Sequence, residues 1–536
     1  MDLSEYPVLI VGGGTVGLSM ALFLARQGVA ARLVERHAGI SIHPRVAGPG
    51  VRTMELFRLA GIEDEILRAS PLARTGGATS ITTLVEADLA HRAPKSPVQA
   101  ANAAECFSPT SDIHCPQNVL DPILANAARS AGARICFNTE VTGLEQRSKS
   151  VSVQIVEHGV TSSLPASYVI AADGSGSFVR RQLGIGTSGP GALGIHIMNV
   201  LFEADLSALV GEHPFVIAEV KNERMHGMFV RIHERRRWVL HISYDPANGE
   251  SPADFTPERC RELVHAAIGA GDVPVEILGI RPWQVAGAIA DRFRAGRVFL
   301  VGDAAHVVPP TGGYGMNTGI AGAHNLAWKL ALVLRGQANP TLLDSYDAER
   351  RPAASFVMEQ SLLRMRNPEL HFDRTRVAER IERGIANPLV VQLGDRYVST
   401  AIIDPHPERP SLEDLSLDVD GSPGTRLPHA WIEYRGARLS ALDLADSRFT
   451  LFAGSAGAAW CAAAEAVARR HNLDLGAYRL DHDFADSDGT LCGALGIGER
   501  GALLVRPDGF IGWRTTKLEQ KPEAVVERVV GQVLGW

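Results

Sequence analysis

The residues best suited to bind a ligand and take part in its chemistry lie in the stretch 302–317, GDAAHVVPPTGGYGMN. The apolar run 298–301 leads into it and is typical of a buried parallel strand. Gly302 lets the backbone come close to a ligand. Asp303 then follows at the carboxyl end of the strand, where a carboxylate can accept hydrogen bonds from sugar hydroxyls. The pattern predicts a ligand-binding loop at this edge of the sheet.

A rigid turn and a helix start complete this loop. Residues 309–313, PPTGG, predict the turn, and a helical pattern opens at Gly315, Met316 and Asn317. Free backbone N–H groups at a helix start can hold a partial negative charge. We therefore expect Pro310 and these three residues to face the anionic edge of a ligand. A Pro- and Gly-rich loop that only caps a structural helix is the alternative.

A second glycine motif lies near the N-terminus, directly after the predicted strand 8–11, VLIV. Gly12, Gly14 and Gly17 have the spacing GxGxxG, and a helical pattern follows them. In that context Gly12 makes the tight turn and Gly14 admits a pyrophosphate. Gly17 lets the helix pack closely on the strand. The motif predicts an adenine-dinucleotide site, with a glycine turn that binds no ligand as the alternative.

An acidic residue stands where such a site needs one. Glu35 follows a second predicted strand, 31–34, and lies 18 positions after Gly17 (35 − 17), close to the ~20 expected for a ribose-binding carboxylate. Arg36, next to it, is included in the predicted site. The N-terminal motif does not separate NAD from FAD. A second ribose-binding carboxylate far downstream, Asp303, favours FAD.

With both motifs, the chain resembles the single-component flavin-dependent aromatic hydroxylases typified by para-hydroxybenzoate hydroxylase. It is most similar to those that tailor aromatic polyketides and carry a C-terminal thioredoxin-like domain. A third segment supports this, because a predicted strand ends at Asp173 and Gly174 permits a sharp turn before a helix. The resemblance implies that Asp173 and Gly174 serve FAD and the nicotinamide donor.

The resemblance also implies that Arg45 and Gln117 lie near FAD. The forked guanidinium of Arg45 suits phosphate oxygens. Judged from the residues alone, Arg45 also fits a surface charge, and Gln117 fits an ordinary helix cap.

The activity that the resemblance implies is hydroxylation of a phenolic, polyketide-like aromatic substrate with NADPH, or NADH, and O₂. In the family NADPH reduces FAD, O₂ adds at flavin C4a, and the hydroperoxide delivers OH to the ring. Baeyer–Villiger oxygenation of a polyketide and hydroxylation of a small phenol stay open. A flavin protein without oxygen chemistry also stays open. A flavin-dependent halogenase is disfavoured because the Trp-x-Trp-x-Ile-Pro motif is absent. No catalytic side chain is assigned.

The substrate is expected between the flavin loop, near Pro310, and an antiparallel sheet predicted over 186–285. A hairpin is predicted there from 226–232 and 238–244. Strand alternation predicts that Phe229, Val239 and His241 share the flavin-facing side. A one-residue slip would invert this parity, and a core histidine is the alternative for His241.

Bulk properties exclude several classes of protein. The 536 residues carry 53 basic and 60 acidic side chains, a net charge of −7, so we expect no binding to nucleic acid or to an anionic membrane. From the sequence we expect neither a signal peptide nor a membrane span. Six cysteines without a CxxC pair predict reduced thiols in the cytoplasm, and no metal site is predicted. The expected partners are an aromatic small molecule and O₂, with the protein a monomer or homodimer.

The predicted fold is α/β, with a Rossmann-like, glutathione-reductase-like FAD domain interleaved with an antiparallel-sheet substrate domain, plus a C-terminal thioredoxin-like domain. Without a cysteine pair the last domain cannot do dithiol chemistry, so we expect a structural or oligomerisation role. The predicted boundaries are 1–70, 111–185 and 286–400 for the FAD domain, 71–110 and 186–285 for the substrate domain, 401–428 for a linker, and 429–536 for the thioredoxin-like domain.

Overall fold

The structure is a computed structural model that describes residues 5–43, 48–70, 77–87, 89, 105–211, 215–232, 236–373, 375–486 and 489–536. The strands are β1 (Val8–Val11), β2 (Ala31–Val34), β3 (Gly77–Ile81), β4 (Arg134–Cys136), β5 (Thr139–Gln146), β6 (Val151–Glu157), β7 (Val160–Ala166), β8 (Tyr168–Ala171), β9 (Thr187–Glu203), β10 (Phe215–Asn222), β11 (Met225–Arg231), β12 (Arg237–Tyr244), β13 (Glu276–Ala290), β14 (Arg294–Ala295), β15 (Val298–Leu300), β16 (His306–Val307), β17 (Trp431–Tyr434), β18 (Ala437–Ser440), β19 (Phe449–Ala453), β20 (Leu475–Arg479), β21 (Ala502–Val505) and β22 (Ile511–Thr515).

The helices are α1 (Thr15–Arg26), α2 (Val51–Leu59), α3 (Glu63–Ala69), α4 (Leu84–Ala87), α5 (Gln117–Ser130), α6 (Phe178–Gln182), α7 (Ser207–Val210), α8 (Pro257–Ile268), α9 (Tyr314–Leu334), α10 (Asp344–Arg366), α11 (Pro368–Phe372), α12 (Val377–Glu382), α13 (Pro388–Leu393), α14 (Ala441–Leu444), α15 (Ala458–His471), α16 (Thr490–Leu495) and α17 (Pro522–Leu534). Within the part of the chain that the structure describes, every helix is too short or too polar to span a lipid bilayer.

The first sheet has the order β14-β15-β8-β1-β2-β4, and all its pairs except β14–β15 are parallel. Its central strands are buried apolar runs because helices cover both faces of a parallel sheet. Helix α1 packs between α5 and α9. The carboxyl ends of parallel strands meet at one edge, which is where ligands bind in such folds. The first sheet therefore brings together four sequence segments that lie far apart in the chain.

The second sheet has the order β16-β13-β9-β12-β11-β10-β3 and is antiparallel except for the β10–β3 pair. The hairpin predicted over 226–244 is confirmed as β11 and β12. Strand β16 follows directly on the loop after β15 and pairs with β13. The loop that begins at Gly302 is thereby joined to the edge of the second sheet.

The register of the second sheet corrects one prediction. Phe229 pairs with Leu240, whereas His241 pairs with Met228. Directly paired residues point to the same face, so Phe229 lies on the face opposite to Val239 and His241. Its fully buried ring packs with Trp238 in the apolar core that the sheet forms with α8. The prediction that Phe229 shares a face with Val239 and His241 is wrong.

The C-terminal sheet has the order β20-β19-β21-β22. Strands β19 and β20 are parallel and joined by α15, while β21 and β22 pair in antiparallel fashion before α17. This is the thioredoxin-like arrangement that the sequence predicts. Cys461 and Cys492, its two cysteines, are free thiols. The segment predicted as a linker is well packed from Asp418 onward, and Arg426 within it is fully buried.

Candidate functional site

The glycine loop after β1 has two glycines that the protein itself requires. Gly12 has φ +110°, and a Cβ there would lie 2.3 Å from the carbonyl oxygen of Ala172. A Cβ on Gly17 would lie 2.0 Å from the carbonyl oxygen of Gly12. Gly14 differs, because it is exposed and a Cβ on it would meet no atom of the described chain within 4 Å. The space in front of Gly14, at the start of α1, is therefore open to a ligand.

Glu35 stands beside this loop at the carboxyl end of β2. Its Oε2 accepts a hydrogen bond from the backbone N–H of Gly13 at 2.7 Å, and its Oε1 accepts one from the N–H of His37 at 2.9 Å. The carboxylate is thus held next to the glycine loop and keeps acceptor capacity for ribose hydroxyls. Arg36 is exposed to solvent.

A buried carboxyl group whose contacts the sequence did not reveal forms hydrogen bonds to residues beside the glycine loop. Asp121 is 1% exposed; its Oδ1 accepts from Thr15 Oγ1 at 2.6 Å and its Oδ2 from Gln117 Nε2 at 3.1 Å. Asp121 therefore fixes the first residue of α1 and the side chain of Gln117. Burial raises the pKa of Asp121 to about 7, although both hydrogen bonds act in the opposite direction. The only sequence signal for this contact is that Asp121 lies four residues after Gln117, a spacing that places both side chains on one face of a helix.

The raised pKa of Asp121 predicts a pH-dependent contribution to stability. The folded protein keeps this proton up to about pH 7, whereas the unfolded chain releases it near pH 4. We expect this contribution to be full below pH 4 and to be lost as the pH rises to 7. Asp121→Asn should remove that slope in denaturant unfolding of the apoprotein. Asp474→Asn, at an 80% exposed carboxylate, should keep it. A wild-type slope in Asp121→Asn would contradict the assignment.

Asp173 lies two residues beyond β8 at the same edge. Its Oδ2 accepts from the backbone N–H of Val179 at 3.1 Å and so caps α6. Its Oδ1 is buried and has no hydrogen-bond partner among the described residues. Gly174 has φ +83° with open space around it. Arg180 donates to the carbonyl of Ala304 at 2.8 Å and thereby ties this segment to the loop after β15.

The loop after β15 presents a helix start. Gly302 has φ +58°, Asp303 is exposed, and Pro310 is exposed just before the start of α9. Gly313 precedes α9 with φ +70°. The first backbone N–H groups of α9, including that of Gly315, have no partner within the helix and are suited to an anionic ligand edge.

Two residues predicted in this loop contribute differently from their neighbours. The side chain of Met316 is buried in the apolar core of the first sheet, so only its backbone remains for a ligand. Asn317 Oδ1 accepts from the backbone N–H of Gly50 at 2.8 Å and from Thr53 Oγ1 at 2.6 Å. Its Nδ2 donates to the carbonyl of Gly313 at 2.9 Å. The side chain of Asn317 therefore fastens the start of α2 to the start of α9.

One face of the second sheet is directed toward the dinucleotide domain. Val239 pairs with Leu201, and Leu201 pairs with Gly279 on the next strand. A Cβ on Gly279 would lie 2.2 Å from Nε2 of His43, which belongs to the segment between β2 and α2. The face that carries Val239 and His241 therefore contacts the domain that holds the glycine loop.

Two polar side chains on this face have unpaired atoms. His241 lies directly opposite Asn199 on β9, and His241 Nδ1 and Asn199 Oδ1 are buried without a partner among the described residues. Burial lowers the pKa of His241 to about 4, so its ring is neutral at pH 7. The ring of Trp283 lies edge-on, with centroids 6.1 Å apart. Asn199 was missed because its face depends on the strand register, which the sequence does not specify.

Comparison with known families identifies the class of protein. Residues 5–361 match the family described as FAD binding domain, and residues 420–535 match the family described as aromatic-ring hydroxylase, C-terminal. The chain belongs to the FAD-dependent aromatic-ring hydroxylases. It is a flavoprotein monooxygenase, and FAD is its cofactor.

Relatives of the hydroxylase extend over its whole length. It is 38% identical to aklavinone 12-hydroxylase RdmE of Streptomyces purpurascens, covering 100% of both chains. It is also 38% identical to a 4-methyl-5-nitrocatechol 5-monooxygenase of Burkholderia sp, covering 99% of this chain and 98% of that one. Among solved structures, a ternary complex of aklavinone-11 hydroxylase with FAD and aklavinone has a TM-score of 0.90 and 37% identity, with 100% of both chains covered.

The described residues of the hydroxylase fit FAD. The open space before Gly14 suits the pyrophosphate, Glu35 suits the adenosine ribose, and the start of α9 suits the negative edge of the flavin. Arg45 lies outside the described residues. His306, inside the loop, is buried, which lowers its pKa to about 3 and keeps the ring neutral. The described residues contain no group of three or more His, Cys, Asp or Glu side chains suited to a metal ion.

Proposed function

We propose that this hydroxylase transfers one oxygen atom from O₂ to a phenolic ring of an aromatic polyketide, with NADPH as the electron donor. The observation that carries the proposal is the pair of unpaired polar groups, Asn199 and His241, on an apolar sheet face directed toward the FAD domain. The full-length similarity to an enzyme solved with FAD and aklavinone supports a polycyclic substrate.

In this proposal FAD supplies the redox chemistry when bound, taking electrons from the nicotinamide and activating O₂. The protein holds the ring and excludes water. Leu201, Val230 and Val239 provide an apolar floor for the ring. Asn199 and His241 hydrogen-bond to its oxygen substituents and so fix which carbon is presented. With a pKa near 4, His241 is neutral at pH 7 and acts as a hydrogen-bonding group, not as a charged one.

The finer assignments belong to the same proposal. The FAD-site residues are those predicted from the sequence, with Asp121 added as the support of Gln117 and Thr15. The unpaired Oδ1 of Asp173 is the acceptor that we assign to FAD or the nicotinamide donor. We further propose that the enzyme acts in the cytoplasm as a monomer or homodimer, with the domain boundaries predicted from the sequence.

Steady-state turnover tests the proposed function. NADPH oxidation by the purified protein should rise with tricyclic and tetracyclic phenols, and the product should be a phenol heavier by one oxygen. A product of the same mass with a new ester carbonyl would mean Baeyer–Villiger oxygenation instead. Nitrocatechols belong in the panel because one relative is named for that substrate. If no phenol stimulates NADPH oxidation by the FAD-loaded protein, the proposal fails.

Replacing the polar pair should weaken substrate binding specifically. Asn199→Leu and His241→Leu each remove a hydrogen-bonding group from a buried face, a loss of about 1–3 kcal/mol. We expect KM for the polycyclic phenol to rise roughly 5- to 150-fold. NADPH oxidation without substrate should not change. His406→Leu, at an exposed histidine remote from the sheet, should match the wild type. Unchanged KM values in both sheet variants would exclude this face as the substrate site.

A further inference from the structure

A buried network of charged side chains joins the thioredoxin-like domain to the FAD domain. Arg506 Nη1 lies 2.6 Å from Glu349 Oε1, and Lys329 Nζ lies 2.7 Å from Glu349 Oε2. All three side chains are fully buried. Burial lowers the pKa of Lys329 to about 8 against the attraction of Glu349, so the group is still charged at pH 7. Buried ions destabilise a folded protein unless their hydrogen bonding is nearly complete. These ion pairs therefore favour one relative position of the two domains.

The turn between β21 and β22 reaches both α2 and α9. Asp508, in that turn, accepts from Arg506 Nη2 at 2.5 Å and from Asn325 Nδ2, on α9, at 3.0 Å. The backbone carbonyl of Asp508 accepts from Arg52 Nη2, on α2, at 2.8 Å. One turn of the C-terminal domain therefore binds two separate helices of the FAD domain.

Helix α2 has a second buried attachment to the same region. Glu55 is 1% exposed and accepts from Arg52 Nη1 at 2.8 Å and from Arg426 Nε at 3.0 Å. Burial by itself raises the pKa of Glu55, but the charges of Arg426 and Arg52 outweigh it and lower the pKa. Arg426 lies in the packed segment that leads into the thioredoxin-like domain. The attachment of α2 is therefore ionic at neutral pH.

The two helices held in this way meet at Asn317, beside the helix start that is proposed to face the flavin. Gly50, just before α2, and Gly313, just before α9, are both bonded to Asn317. Displacing either helix along its axis would move the helix start that faces the flavin in the proposed placement. Asp508 is thus connected to this helix start through α2 and α9.

The space enclosed between α2, α9 and the turn is too small for a second substrate. Its volume is about 40 Å³, enough for a few water molecules but not for a ring system. Arg52, His324, Asn325 and Asp508 are among the polar side chains that line it. The contact between the two domains is therefore close, with only this small polar space left between them.

We propose that the thioredoxin-like domain is a positioning part of the flavin site. Through Arg506 and Asp508 it holds α2 and α9 at the spacing that FAD binding requires. The proposal rests on the flavin placement given under Proposed function. It assigns to the domain a task that needs no cysteine pair.

The test uses the full-length protein with the charge-balanced double variant Arg506→Met/Asp508→Leu. Removing both members avoids leaving one uncompensated buried charge. The matched control is Arg470→Met/Glu523→Leu, which removes an exposed ion pair between α15 and α17 of the same domain. FAD affinity is measured by titrating the apoprotein at a temperature where each variant is folded by circular dichroism. The visible absorption bands of bound FAD report its environment.

We expect the interface variant to bind FAD at least 10-fold more weakly and to show shifted flavin bands, with the control unchanged. Asn325→Ala guards against misfolding, because it removes a neutral amide that bonds Asp508, Glu349 and Lys329 and keeps every buried ion pair. It should weaken FAD binding in the same direction by about 3-fold, less than the double variant, because the Arg506–Asp508 and Lys329–Glu349 ion pairs remain. Wild-type affinity and spectra in both interface variants would overturn the proposal. Because FAD titration requires no turnover, that outcome is distinguishable from failure of the proposed hydroxylation.

Discussion

Replacing Gly14 with alanine should weaken FAD binding by roughly 10- to 100-fold while leaving the apoprotein as stable as the wild type. The backbone at Gly14 is extended, with φ −78°, so any residue can adopt it, and an added Cβ meets no described atom within 4 Å. The methyl group would instead occupy the space at the start of α1 where the pyrophosphate is proposed. Overpacking a close contact costs about 1–3 kcal/mol, which gives this range of affinity.

Gly17→Ala is the matched comparison for this substitution. Its Cβ would lie 2.0 Å from the carbonyl oxygen of Gly12, so β1 and α1 would have to separate. We expect a lower thermal midpoint of the apoprotein as well as loss of FAD binding. Thermal unfolding of the apoproteins and FAD titration together distinguish the two glycines. FAD binding of wild-type strength in Gly14→Ala would show that the pyrophosphate lies elsewhere.

The meeting of the predicted FAD-site segments at one sheet edge could be predicted because its signals are local. Gly12, Glu35, Asp173 and Gly302 each follow the end of a short apolar run, and each run is a strand of the first sheet. Parallel strands place their carboxyl ends at one edge, so the fold class alone brings these segments together. The fold class predicted from the sequence is confirmed, including the thioredoxin-like order of the last sheet.

The contacts that the sequence did not reveal are pairings between distant residues. Glu55 and Arg426 are 371 positions apart, and Thr15 and Asp121 are 106 apart. Such pairs have no local spacing, and a buried carboxylate looks like any surface acid in the sequence. The segment 401–428 was predicted as a linker from its Pro, Asp, Ser and Gly content. That composition also suits a packed, irregular segment such as the one that buries Arg426.

The prediction of which residues share one face of the second sheet was wrong for a different reason. Alternation along one strand is certain, but the face shared between two strands depends on their register. Because Phe229 pairs with Leu240, an odd-numbered residue of β11 shares its face with an even-numbered residue of β12. The sequence of the connecting loop does not specify that register. Val239 and His241 stay predicted as substrate residues, whereas Phe229 becomes a core residue.

Phe229→Ala should therefore act on stability and not on substrate recognition. The ring is fully buried and packs against Phe202 and Trp238, with centroid distances of 6.3 and 6.4 Å. Truncating such a ring costs about 3–5 kcal/mol. We expect denaturant unfolding, followed by far-UV circular dichroism, to shift strongly to lower denaturant concentration. KM measured on the folded enzyme at low temperature should stay at the wild-type value.

Val239→Ala gives the complementary expectation on the other face. Val239 belongs to the small apolar cluster with Leu201 and Ile232 on the side directed toward the FAD domain. Its truncation removes less buried surface than that of Phe229, so the loss of stability should be smaller. KM for the polycyclic phenol should rise because the floor under the ring is lost. If Phe229→Ala raised KM while Val239→Ala only lowered stability, the substrate would have to lie on the opposite face of the sheet, against α8.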